Sequence, residues 1–328
     1  MERVIQDDWR PLHSSRSLLR QCFGWDGGLF LVWVVRVAAV WLIWETVVVL
    51  ESKDLLFYTG ATNFFHNYIP LYFLFGALEH PGASFEFLVR DLTRMQALHG
   101  ESLDRIQAWS GSVYYLHDVA TRQCRKIPLM ENSYRFLLQP FLRSEYIYIG
   151  DIDVLLTENV LERHHAYLDS GLPFYNHIRP GTKRLTGLHL ARYDHLYPLD
   201  PTLWDFCHLN DEEILYKRYE LMGCLCQAEL APLVNDLGRP NCGIHVSPNR
   251  LPFFANVEGP DWGMEVSTLR RLLRHLECPE VRSIVEVMYR GSRRILMNLV
   301  VISRGLQSIN RSDRLLYLLK KKEIWVDS

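Results

Sequence analysis

Two aspartates one residue apart close the run "EYIYIGDIDVLL", Glu145 to Leu156, where an apolar stretch reaches Gly150 and is followed by Asp151 and Asp153. Paired carboxylates at the end of a strand suit a hard divalent cation such as Mg²⁺ or Mn²⁺, which takes oxygen ligands. With Ile152 between them, a turn is needed to bring both toward one ion, and Gly150 makes that turn easy. The same spacing also occurs in solvated turns and at helix N-caps, so the surrounding elements have to decide.

Those elements alternate. Asp54 to Thr62, "DLLFYTGAT", reads as a buried strand opening into a Gly-containing turn, and Asn63 to Glu79 as the following helix with Pro70 early in it. Ala83 to Asp91 is a second strand, Arg94 to Trp109 a helix, and Gly111 to Asp118 a third strand. Ser133 to Leu142 reads as a helix and Glu145 to Gly150 as the strand carrying the aspartates. This rhythm predicts a parallel sheet with helices on both faces, whose ligand crevice lies beyond the carboxyl ends of the strands. Further on, a Pro-Gly turn precedes a strand-like "RLTGLHLARY". "LNDEEILYKRYELMG" is a helix with Asp211 near its N-cap and Gly223 past its end, and "RPNCGIHVSPNR" is a loop or short strand.

The chain has 328 residues, 48% hydrophobic and 12% aromatic, with a formal charge of −2. That is enough apolar content for one large core, and the charge gives no global attraction to nucleic acid. Between Arg282 and Lys322, however, ten Lys or Arg face two acids. This basic stretch, with Arg290, Arg293, Arg294 and Lys320 to Lys322, suits contact with anionic lipid or is a solvated helix face. No nucleic-acid module accompanies it. Seven cysteines are scattered and odd in number, which argues against a dense disulfide framework, and Cys224 and Cys226 are expected to be packed thiols. Leu29 to Leu50 is an apolar run of 22 residues, about 33 Å as a helix. It interrupts itself with Arg36 and Glu45, and two readings stay open: a membrane span, or a helix docked on the protein's own core. Arg3, Arg10, Arg16 and Arg20 precede it and only Lys53 follows closely, so a span would leave the N-terminus cytoplasmic. The division expected is 1–52 as the N-terminal segment, 53–262 as the catalytic domain and 263–328 as a helical basic extension.

The ordered motifs carry a resemblance. "YIYIGDIDVLL" resembles the Asp-x-Asp element of nucleotide-sugar glycosyltransferases with the A-type fold, family 8-like, and its neighbours come in a similar order: "LLFYTGATN", "SYRFLL", "LTGLHLARYD", "NDEEIL" and "GIHVS". The likeness spans about residues 54 to 260. It implies an α/β fold with a Rossmann-like, mixed and mostly parallel sheet flanked by helices, to which this chain adds an apolar N-terminal helix and a basic helical C-terminus. It further implies a hexose moved from a nucleotide sugar, most simply a uridine diphosphate sugar, to a glycan or lipid-linked acceptor, with Mn²⁺ or Mg²⁺ bridging the donor phosphates. By the same resemblance Asp151, Asp153 and His245 are the metal ligands, with His189 a competitor of His245. Tyr58, Thr59, Gly60 and Asn63 would hold base and ribose, and Arg135 would pair with a phosphate. Thr186 and Gly187 would pass beneath the transferred sugar, and Asp211 and Glu212 would meet its hydroxyls.

Two other functions remain at this level. A nucleotidyltransferase or metal phosphoesterase also places paired acids on a strand tip, although no lysine-rich loop stands beside Gly60. A catalytically silent sugar-nucleotide-binding protein would keep the ligands without turnover.

Overall fold

The computed structural model describes residues 55–61, 65–120, 131–176, 178–179, 181–226, 242–246 and 274–307, with backbone alone for 131, 132, 226 and 301–307. All belong to one compact unit, Lys53–Ser328. The apolar run at 29–50, Asn63 and Lys320 to Lys322 lie outside the described residues.

In chain order the principal elements are β1 (Leu55–Gly60), α1 (Ile69–Glu79), β2 (Ser84–Val89), α2 (Leu92–Ser110), β3 (Val113–Asp118), α3 (Glu131–Leu137), β4 (Tyr146–Ile149), β5 (Val154–Leu156), β6 (Phe174–Tyr175), β7 (His189–Arg192), α4 (Asp211–Leu221), β8 (Gly243–His245), α5 (Pro279–Val287) and α6 (Arg290–Gln307). Among the described residues, six strands form one sheet in the order β3-β2-β1-β4-β7-β6, and β5 and β8 pair separately. The first four run parallel; β7 and β6 join antiparallel. The sheet is therefore the expected mixed, mostly parallel kind. The all-parallel sheet suggested by the strand-helix rhythm alone needs correcting, because β7 runs antiparallel to both of its neighbours, β4 and β6.

Strand parity sets the layers. Leu55 and Phe57 of β1 and Tyr146 and Tyr148 of β4 face a core shared with α1, α2, α5 and α6, through residues such as Phe73, Met95, Ile284 and Leu296. Leu56, Tyr58, Ile147 and Ile149 point the other way, into a core with Tyr134 and Phe136 of α3 and Ile214 and Tyr219 of α4. The C-terminal helices thus contribute to the core of the main unit, while Arg290, Arg293, Arg294 and Met297 stay on the exposed side of α6.

Local signals explain most boundaries. Pro70 sits in the first turn of α1, where its missing N–H has no partner to lose. Asp91 caps α2 by accepting from Arg94 N at 2.9 Å, and Gly111 ends it in the left-handed region at φ 72°. Helix α3 stops at Leu137, five residues short of the expected Leu142, because the residue before Pro140 is driven out of helical geometry. The strand expected over "RLTGLHLARY" shrinks to β7. The cap of α4 is Asn210, not Asp211: its side chain accepts from Glu213 N at 2.9 Å while Glu213 Oε2 accepts from Asn210 N at 3.2 Å. Cys224 is a free thiol as expected, whereas Cys207 is disulfide-bonded.

Candidate functional site

The site is built where β1 and β4 end. Gly150 follows β4, and its carbonyl accepts from Thr59 Oγ1 at 2.7 Å and from Arg135 Nη1 at 2.5 Å, which ties the tips of β1, α3 and β4 together. The chain then turns: Val154 N donates to Asp151 O at 3.0 Å, so Asp151, Ile152 and Asp153 round a tight corner before β5. Gly150 is needed here for space and not for a left-handed backbone, since a Cβ would stand 2.8 Å from Tyr148 Cε1 and 3.1 Å from Tyr72 Oη.

The corner sends its two carboxylates to different partners. Asp153 Oδ2 lies 2.8 Å from His245 Nε2, and both residues are buried. The contact is fixed by the β5–β8 ladder, in which Val154 pairs with His245 and Leu155 with Ile244, and by Val246 N donating to Asp153 O at 2.7 Å. Gly243 permits the ladder, because a Cβ there would fall 2.3 Å from Leu155 O.

Asp151 instead faces Arg135. Nη2 of that arginine donates to Asp151 Oδ1 at 2.8 Å and to Asp211 Oδ2 at 3.0 Å, and the side chain has no exposed surface. Burial by itself would depress the guanidinium pKa, but the Asp151 and Asp211 carboxylates outweigh it and hold the pKa raised. The expectation is that Arg135 pairs with a donor phosphate; here its Nη1 and Nη2 donate to Gly150 O, Asp151 and Asp211, and its side chain has no exposed surface.

Each acid opening α4 meets a different arginine. Asp211 takes Arg135, Glu212 pairs with Arg179, and Glu213 accepts from Arg184 Nη2 at 2.8 Å and Nε at 3.0 Å. Asp211 and Glu212 keep 28% and 19% of their side-chain surface, so both still border solvent. Gly187 abuts the same cluster: a Cβ there would lie 3.0 Å from Arg135 Nη2 and 3.4 Å from Asp151 Oδ1. Its neighbour Thr186 is held by Asn176, a residue to which no sequence signal pointed.

The remaining candidates separate. Thr59 and Gly60 end β1 beside Gly150, whereas the ring of Tyr58 is buried in the core and its hydroxyl donates to Leu138 O at 3.2 Å. Tyr58 therefore offers a nucleotide its backbone at most. His189 is fully buried between Asn176 and Tyr219, with ring contacts of 3.1 and 2.7 Å, and packs away from Asp153. Burial, followed by the charge of Arg218, pushes its pKa well down, so the ring is neutral. Among the described residues no three His, Cys, Asp or Glu side chains converge on one point, since Arg135 holds Asp151. What the structure offers a metal is Asp153 with His245. In the structure these two stand in direct hydrogen-bond contact at 2.8 Å.

No protein-family profile matches the sequence, and no curated protein matches it. Solved structures with a similar backbone are glycosyltransferases. Galactosyltransferase LgtC, in complex with donor and acceptor sugar analogues, shares 13% identity over 67% of this chain and 95% of its own, at TM-score 0.42. Glycosyltransferase GlyE of Streptococcus pneumoniae shares 10% over 73% of this chain and 66% of its own, at 0.44. Mannosyltransferase PcManGT of Pyrobaculum calidifontis, in complex with GDP-Man and Mn²⁺, shares 10% over 92% and 98%, at 0.37. At these scores the likeness describes the course of the backbone and assigns no activity to this chain.

Proposed function

We propose that the protein is a metal-assisted glycosyltransferase that moves a hexose from a nucleotide sugar to a glycan or lipid-linked acceptor. The observation that carries this reading is the charge arrangement at the strand tips. Asp151, Asp153 and Asp211 gather there, and the guanidinium joining two of them, Arg135, is fully buried. A diphosphate brought to three carboxylates is repelled unless a cation stands between them. In this reading Asp153 and His245, now in contact with each other at 2.8 Å, would both turn to that cation, and their mixed oxygen and nitrogen donors would favour Mn²⁺ over Mg²⁺. When bound, such an ion neutralises the charge that develops on the diphosphate as the glycosidic bond breaks.

The protein's own residues do the rest. Thr59 and Gly60 border the base and ribose at the end of β1, with Asn63 following in sequence. Asp211 and Glu212, each held by an arginine yet still bordering solvent, accept from hydroxyls of the transferred sugar. Thr186 and Gly187 line the sugar's other side with backbone and a missing side chain. Arg135 pairs with Asp151 and Asp211 and fixes both carboxylates, which orients acceptors without competing for the donor. A uridine diphosphate hexose is the first donor to test, and the exposed arginines of α6 suit an acceptor presented at an anionic membrane surface.

The test is a panel of nucleotide sugars, with and without Mn²⁺, scored by thermal shift and by release of nucleoside diphosphate. Metal-dependent stabilisation by one donor, with slow hydrolysis, supports the reading. Phosphate release from simple esters, or pyrophosphate release from a nucleoside triphosphate, would favour the phosphoesterase or nucleotidyltransferase reading. Binding without any turnover, even with acceptors supplied, would favour a silent binding protein.

A further inference from the structure

The antiparallel pair β6–β7 breaks register beside the site. Tyr175 pairs with Leu190, which places Asn176 opposite His189, yet the next bridge joins Ile178 to Leu185. From the Tyr175–Leu190 pair to the Ile178–Leu185 bridge the first side advances three positions and the second five, so the segment of Thr186, Gly187 and Leu188 must bulge. The bulge carries Gly187 against Arg135 and Asp151. A bulge in a buried place leaves backbone groups without ladder partners, and these must be satisfied some other way.

Asn176 satisfies those of Thr186. The residue has no exposed surface, and its Oδ1 accepts from Thr186 N at 3.0 Å and from Thr186 Oγ1 at 2.7 Å. Its Nδ2 donates to Thr186 O at 3.0 Å and to His189 Nδ1 at 3.1 Å. The amide orientation is determined, because turning it over would set NH₂ against the Thr186 N–H. It follows that His189 Nδ1 is the accepting nitrogen and Nε2–H donates to Tyr219 Oη on α4 at 2.7 Å. Helix α4 thus reaches the site twice, through Asp211 on Arg135 and through Tyr219, His189 and Asn176 on the bulge.

We propose that Asn176 is a positioning residue, which pins the 186–188 bulge against the Arg135–Asp151 pair and so fixes one wall of the sugar pocket. The inference rests on the glycosyl-transfer reading for its effect on turnover, but not for its effect on the bulge. The test uses Asn176→Leu, which removes every polar contact, and Asn176→Asp, which keeps the two accepting contacts and loses the donating ones. Amide hydrogen exchange over residues 185–190 is measured on the ligand-free full chain, and donor hydrolysis on the same preparations with Mn²⁺.

Exchange in that segment should quicken in both variants. The hydrolytic kcat should fall at least tenfold in the Leu variant and less in the Asp variant, with donor KM changing less than threefold. The ratio of Asp-variant to wild-type kcat should rise as pH falls, because a buried carboxylate takes up a proton readily and can then donate as the amide does. If Asn176→Leu does not fold, Asn176→Asp alone carries the exchange comparison, since Thr186→Val would also remove the contact of the Thr186 hydroxyl with Leu188 O at 3.1 Å. Unchanged exchange at 185–190, or full kcat in both variants, overturns the proposal. Absence of any donor turnover in the wild type overturns the glycosyl-transfer reading instead, and exchange then decides the role of Asn176 in the bulge by itself.

Discussion

Asp153 and His245 are 92 positions apart in the chain and 2.8 Å apart in space, because β5 and β8 form a two-stranded ladder of their own outside the main sheet. The pair proposed to hold the metal therefore stands or falls with that ladder. Replacing His245 by Ala should raise the Mn²⁺ concentration needed for half-maximal donor binding by about tenfold or more, the usual scale for lost support at a metal site. Titrations of metal at fixed nucleoside diphosphate check this. An unchanged titration removes His245 from the site.

The ladder itself can be broken from the backbone side. Gly243→Ala puts a methyl 2.3 Å from Leu155 O, a contact that only displacement of one strand relieves. The expected cost is about 1–3 kcal/mol, the range for overpacking, together with loss of metal-dependent binding. Urea denaturation of the metal-free protein gives the first quantity and calorimetry the second.

Arg135→Ala leaves Asp151 and Asp211 facing each other across a hole from which the guanidinium has gone. Removing one partner of such a buried ionic group costs about 3–5 kcal/mol. Arg135→Lys should recover little of it, since a single ammonium cannot reproduce the fork that serves Gly150 O, Asp151 and Asp211 together. Equilibrium unfolding of the three proteins distinguishes these outcomes. A stable Ala variant would contradict the account of the cluster.

Acid should destabilise the fold through histidines held neutral. Burial pushes His80 down to about 3, and His99 and His164 to about 4. His99 lies 2.8 Å from His66, whose pKa burial also lowers, and His164 lies 3.0 Å from Cys242 Sγ. Below about pH 6.5 the unfolded chain takes up protons that the folded one refuses, so folding stability is full above that pH and declines as pH falls toward 4. Each such histidine contributes a slope of about 1.4 kcal/mol per pH unit within the window. Denaturation midpoints at pH 7.5, 6, 5 and 4.5 follow it, and a flat profile would contradict the neutral assignments.

How far the sequence could be read depended on whether a signal was local. The strands around Tyr58 and Ile149 and the helices α1 and α2 announce themselves by apolar runs, Pro70 and Gly111, and the aspartate corner by the end of such a run. Arg135 was visible as a charged residue in the right place, but nothing local said that it would be buried. Its partners, Asp151 and Asp211, are 16 and 76 residues away. The same applies to the cap of α4: Asn210 and Asp211 are adjacent and both able to cap, and the pull of Arg135 on Asp211 leaves Asn210 to do it. Asn176 was invisible because its role depends on a register break between β6 and β7, which no pattern within either strand records.

The central claim is that Asp153 helps to hold a divalent ion on which donor turnover depends. It is tested most directly by nucleotide-sugar hydrolysis in wild type and Asp153→Asn, each stripped with chelator and then titrated with Mn²⁺. The account predicts that wild type is silent after stripping and regains turnover with metal, while the Asn variant folds as wild type does and stays at least a hundredfold slower at saturating Mn²⁺. Turnover that survives the chelator, or an Asn variant as fast as wild type, would contradict it.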